Sequence, residues 1–143
     1  MGRKLARLLG EIRACRICEA HLPLGPRPIV VASRTARIAV IGQAPGTKVH
    51  ATGIPWNDAS GERLRTWMGI DGETFYDSAR IAIVPQGFCY PGRGRNGDLP
   101  PRVECAATWH PRLFPMLPAL ELYVLVGCYA QTYHLGPRVK KTL

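Results

Sequence analysis

Three short runs of this chain are apolar almost throughout: RIAVI at 37–41, RIAIV at 80–84 and LYVLV at 122–126. A strand with one wet face alternates polar and apolar residues. A run that is apolar on both sides of the pleat must be covered on both faces. Stretches with helical signals separate these runs. Leu5, Leu8, Leu9 and Ile12 recur at helical spacing, so residues 1–15 read as an amphipathic helix. Ser60 is a candidate cap for a helix through Met68, with Leu64, Trp67 and Met68 on its apolar side, and Asp58 caps or turns into the same helix near Ser60. A third helix covers about 103–117, interrupted or kinked by Pro111 and Pro115, and a fourth covers 128–135, stopped by Gly136. The expected fold class is therefore α/β: three layers, α/β/α, around a central, mostly parallel sheet. In such sheets ligands sit beyond the carboxyl ends of the strands. Two long loops rich in Gly and Pro, 42–59 and 85–101, fall there.

The chain has 143 residues, the size of one domain, expected over 1–143 without repeats or low-complexity tracts. No stretch approaches ~18 apolar residues, so no membrane span is expected. The start is not a secretory signal, because Arg and Lys interrupt it. Ala6 stands where a myristoylation signal needs Ser or Thr. The charge does need a reason: 19 Lys and Arg against 10 Asp and Glu give a net +9. Such a surplus on a small domain points to a polyanion, most often nucleic acid; the alternative is an ordinary basic protein.

The cysteines are Cys15, Cys18, Cys89, Cys105 and Cys128. An odd count with a C-x-x-C pair fits a reducing compartment, so the cytoplasm is expected. Cys128 directly follows a buried strand and reads as a small core side chain. The other four are able to form a tetrahedral metal site or hold an iron–sulfur cluster. Spacing does not separate zinc from a cluster, and unconnected thiols are the third possibility.

Gly42-Gln43-Ala44-Pro45-Gly46 follows the first strand directly. A turn of this kind presents backbone N–H groups to an anion. It lacks the Gly-Lys-Ser/Thr of a P-loop and the spacing of a dinucleotide fingerprint. Taken alone, it is a tight turn.

Together these residues resemble a known family. GQAPG after a buried strand, then Thr52-Gly53-Ile54-Pro55-Trp56, is similar to the uracil-DNA glycosylase superfamily. The closest likeness is to its iron–sulfur, family-four type branch, whose members begin with a helix and C-x-x-C. They carry a G-E-A-P-G loop and a T-G-x-P-F segment. Their third cysteine follows the second strand, and a fourth comes sixteen positions later, as Cys89 and Cys105 do here.

The resemblance implies a [4Fe–4S] cluster on Cys15, Cys18, Cys89 and Cys105, with zinc as the other occupant. It implies that Gly42, Gln43, Ala44, Pro45 and Gly46 line a base pocket and that Trp56 stacks on a flipped base, although Trp56 also suits a core. Gln43 stands at the family-four Glu and matches the G-Q-D-P-Y loop of other uracil glycosylases. Ala44 then occupies the place of their water-activating Asp. His50 is a candidate to orient water or, equally, a surface or capping residue. Arg93 and Arg95 suit phosphate contacts or a solvated loop.

Two departures accompany the likeness. The family's Asn that reads the uracil edge is Pro85 here, with Gln86 and Asn57 as possible substitutes. The family's later His-Pro-Ser-Pro-like motif has no counterpart; the one His-Pro, His110-Pro111, lies beside the fourth cysteine. The end, 139–143, reads as the start of an unfinished helix, so a C-terminally truncated domain of weak activity is expected. The implied function is hydrolysis of the N-glycosidic bond of uracil or a related deaminated base in DNA, by a monomer. The alternative is a nucleic-acid-binding protein of the same fold, with cluster or zinc, that has lost hydrolysis.

Overall fold

The computed structural model describes residues 2–140. Helix α1 (Gly2–Arg13) leads through a three-residue 3-10 turn (Glu19–His21) to β1 (Ile38–Ile41). Then come α2 (Thr47–Thr52), α3 (Ala59–Met68), α4 (Gly72–Phe75) and β2 (Ile81–Ile83). A small hairpin, β3 (Arg93–Gly94) and β4 (Gly97–Asp98), precedes α5 (Val103–Leu113), β5 (Leu122–Leu125) and α6 (Cys128–Leu135). The three apolar runs form one parallel sheet in the order β2-β1-β5. Ile38 pairs with both Ile81 and Leu122, which brings the carboxyl ends of all three strands to one edge.

The pleat divides the core. Ala39, Ile41, Ala82, Val84 and Leu125 face α1 and α5, packing with Leu8, Ile12, Trp109 and Leu113. Ile38, Val40, Ile81, Ile83 and Val124 face the other way, against Leu64, Met68 and Phe75. In β1 and β2 successive residues alternate between two covered faces, which is why those strands read apolar throughout; β5 lies at the sheet edge, and its Leu122 and Tyr123 are exposed, against the expectation of a third fully covered strand. The four apolar residues of α1 are all buried. Each contributes about 1.5–3 kcal/mol through lost water contact. On the surface, Arg112 of α5 pairs with Glu11 of α1 at 2.7 Å across the seam that the apolar residues hold together.

Several local expectations are corrected. Trp67 is 77% exposed: the buried stripe of α3 runs through Gly61 and Leu64 to Met68, and Trp67 falls beside it. The cap of α3 is Asp58, which accepts the Gly61 N–H at 2.9 Å; Ser60 lies within the first turn. Cys128 is exposed, because the chain leaves the sheet at Gly127 and Cys128 opens α6 on the solvent side. Pro111 remains within α5, whereas Pro115 sits in a 3-10 turn (Phe114–Met116) that ends it. Loop 42–59 contains α2, and loop 85–101 contains the hairpin. Most of the 139–143 tail lies outside the described residues. No described helix is long and apolar enough to cross a membrane.

His110 is buried between the sheet and α6. Its Nε2 lies 3.0 Å from the Pro85 carbonyl and its Nδ1 lies 3.3 Å from His134 Nε2. A carbonyl only accepts, so His110 carries its proton on Nε2, and His134 donates to Nδ1. Burial pushes His110 from 6.5 down to about 4 and also lowers His134. A lowered folded value means that the folded state binds fewer protons than the unfolded one. Stability is complete above the unfolded value of 6.5 and falls as pH drops toward about 4. The loss assigned to His110 is on the order of 3 kcal/mol. His110→Gln keeps an N–H for Pro85 but cannot titrate. Urea midpoints measured across this pH window should be flatter for that variant; an unchanged slope would place the titration elsewhere.

Candidate functional site

Beyond the carboxyl ends of the sheet lies a cavity of about 490 Å³. Its floor is apolar, with Ile29, Ile83 and Val126. Gly42, Gln43, Ala44, Pro45 and Gly46 form one wall, and Trp56 and Pro85 contribute to others. The hairpin closes the rim with Asn96 and Asp98.

The wall is built by backbone bonds. The N–H groups of Gln86 and Gly87 donate to the carbonyls of Gly42 and Gln43 at 2.8 and 2.9 Å. The N–H groups of Gln43 and Ala44 find no partner among the described residues. Gln43 turns its amide to the Leu99 carbonyl at 3.3 Å, which anchors the hairpin to the loop.

Trp56 holds the only positive φ of a described non-glycine residue, 57°. That conformation costs on the order of 1–3 kcal/mol and persists only where surroundings enforce it. Here Arg65 donates to the Trp56 carbonyl at 3.1 Å, and Tyr76 donates to the Pro55 carbonyl at 2.8 Å. Gly61 lets the Trp56 carbonyl lie on α3: a β-carbon there would stand 1.7 Å from that oxygen. The indole rests on Gly42, where a β-carbon would stand 2.7 Å from Cζ2.

Other candidates lie off the cavity. Gln86 is buried, with its Oε1 unpartnered, and does not line the wall. Asn57 is half-buried and also off the wall. His50 has its ring 6.3 Å from that of Tyr90, and its Nδ1 is buried without a partner. Its carbonyl accepts from Arg27 at 2.6 Å. Arg93 and Arg95 are exposed on the hairpin. Asn96 and Asp98 carry no sequence signal beyond their place in a Gly-rich loop.

The four cysteines gather elsewhere. Cys15, Cys18, Cys89 and Cys105 line one cavity with Ile17, Leu22, Phe88 and Trp109. Phe88 N–H donates to Cys105 Sγ at 3.2 Å. Burial pushes the Cys89 thiol up to about 11 and the Cys105 thiol up to about 12. Cys18 is also raised, by burial first and by the Glu104 charge second, while Arg102 opposes. Arg102 pairs with Glu104 at 2.7 Å, yet Arg102 Nε, Glu104 Oε1 and Trp109 Nε1 are buried without partners. Among the described residues, no three His, Cys, Asp or Glu are disposed to hold a single metal ion.

A family model for the uracil DNA glycosylase superfamily matches residues 29–143. The chain belongs to that superfamily, whose members act on DNA.

Gly42→Ala drives a β-carbon into the indole. Such overpacking typically costs about 1–3 kcal/mol. In a double-mutant cycle with Trp56→Ala, the two changes together should destabilise less than their sum by about 1 kcal/mol or more. Strict additivity would mean that the indole does not rest on Gly42.

Proposed function

We propose that this chain is a DNA glycosylase, hydrolysing the bond between deoxyribose and uracil or a related deaminated base. The observation that carries the reading is the shared cavity of loop 42–46, Trp56 and Pro85 at the carboxyl edge of the sheet.

Breaking an N-glycosidic bond builds positive charge on the sugar and negative charge on the departing base. Fixed N–H donors aimed at the base stabilise that charge without reorganisation. The unpartnered N–H groups of Gln43 and Ala44 suit this role. The base must first leave the stack, at a few kcal/mol, and an aromatic face then compensates for the lost stacking. Trp56 supplies that face, and its clamped backbone keeps the indole from following the base. Arg93 and Arg95, exposed beside the rim, suit phosphate contacts. Pro85 offers the base no side-chain hydrogen bond, and its carbonyl is engaged by His110. Recognition then depends on shape and on backbone and hairpin groups, which supports a broader range than uracil alone.

We further propose that Cys15, Cys18, Cys89 and Cys105 hold a [4Fe–4S] cluster. A cluster meets thiolates at four separated corners, and the four cysteines line one common cavity with apolar neighbours. The unpartnered Nε1–H of Trp109 is a donor suited to a sulfur acceptor there. The group would brace the segments that carry the cysteines.

Two outcomes check these readings. Protein incubated in excess with single-stranded or duplex DNA containing one uracil should generate alkali-labile sites, and Trp56→Ala should slow this at least about tenfold. No strand break with uracil or other deaminated bases would remove the glycosylase reading and leave a binding protein. Anaerobically purified protein should carry about four iron and four sulfide per chain, with a broad visible absorption that zinc lacks. Stoichiometric zinc without sulfide would refute the cluster.

A further inference from the structure

We propose that Asp98 is the carboxylate that activates the attacking water; the inference rests on the glycosylase reading above. Hydrolysis through a cation-like sugar calls for a carboxylate within reach of the anomeric carbon, both to take a proton from water and to balance the developing charge. Loop 42–46 contains no ionisable side chain. Of the residues that line the cavity, only Asp58 and Asp98 are ionisable.

Asp58 is already committed. Its Oδ1 accepts the Gly61 N–H at 2.9 Å and caps α3. Asp98 has no hydrogen bond or ion pair from its side chain among the described residues. Its Oδ2 lies 3.7 Å from where a β-carbon on Gly46 would stand, so the carboxylate faces the loop directly. Its position is fixed through its neighbour: Leu99 N–H donates to the Gly92 carbonyl at 2.8 Å, and the Leu99 carbonyl accepts from Gln43. Gln43 is thereby a positioning residue for Asp98. Arg93 pairs with Asp98 across the hairpin, on the same face, and makes no ion pair with it. That leaves Arg93 available to a phosphate beside the extruded nucleotide.

The step balances. Water gives a proton to the Asp98 carboxylate as its oxygen bonds to the anomeric carbon. The carbon–nitrogen bond breaks and its electron pair leaves with the base. The base anion then takes a proton, returning Asp98 to the carboxylate or drawing on solvent. The products are the free base and an abasic sugar.

The test compares full-length wild type, Asp98→Asn and Asp98→Ala in single-turnover release of uracil from a single-stranded oligonucleotide. Asp98→Asn should slow release by at least about 100-fold. Affinity for an oligonucleotide carrying a tetrahydrofuran abasic analogue should stay within about twofold, since Asn preserves shape. Added formate should restore part of the Asp98→Ala rate, which a merely structural residue would not allow. An inert wild type would sink the glycosylase reading and this inference with it. An active wild type with Asp98→Asn within about threefold would overturn Asp98 alone. So would a loss that tracks weakened DNA affinity without formate rescue.

Discussion

Four consecutive residues after β2 join three working parts of this molecule. The Pro85 carbonyl accepts from His110, and Gln86 and Gly87 donate to the carbonyls of Gly42 and Gln43. Phe88 donates to Cys105 Sγ. The loop that walls the large cavity, the histidine pair in the core and the cysteine cavity are therefore tied through adjacent peptide groups. Buried peptide groups must be paired, so this segment cannot shift for one partner without releasing the others. That makes the cysteine cavity relevant to the base loop, although the two cavities share no lining residue. Arg27 adds a second tie. Its backbone N–H meets the Cys89 thiol, while its side chain holds the carbonyls of His50 and Ala51 at the end of α2.

The strained Trp56 is the other constraint, and it is over-determined. Arg65 not only holds the Trp56 carbonyl but also lies over the rings of Phe75 and Tyr76, at 5.2 and 5.5 Å. Tyr76 in turn holds Pro55. A bulky side chain in a left-handed conformation would relax if any one of these were the sole restraint. Three elements converge on it instead, so the indole can be presented to the cavity as a fixed surface.

The layers were legible because hydrophobic burial on both faces of a sheet leaves an unmistakable pattern. The helical stripe of α1 was legible for the same reason. The gathering of four cysteines into one cavity was anticipated only through family likeness, since spacing alone cannot bring Cys18 to Cys105. What escaped has a common cause: it depends on contacts rather than on periodicity. A hairpin with two residues in each strand has no apolar alternation, so Asn96 and Asp98 looked like loop. Helix α2 is six residues long and begins beside Pro and Gly, which hides it. Trp67 and Cys128 were assigned to the core by their neighbours, but one residue of rotation about a helix axis decides exposure. Gln86 was a reasonable substitute for the missing amide until its backbone, not its side chain, proved to meet the cavity loop.

The placement of charge now makes physical sense of a strongly basic chain. In the proposed reaction the departing base is an anion and the sugar a cation, a few ångströms apart. A carboxylate on the floor would oppose the first, and a cation against the sugar would oppose the second. The floor is apolar and loop 42–46 is uncharged, so the base meets neutral N–H dipoles. The one uncommitted carboxylate of the cavity lining stands on the rim, carried by the same hairpin that exposes Arg93 and Arg95. Docking a phosphate backbone on those cations would set the extruded sugar beside the fixed carboxylate of Asp98. DNA binding and placement of the sugar then become one event, which links the surplus of positive charge to the chemistry and not only to affinity.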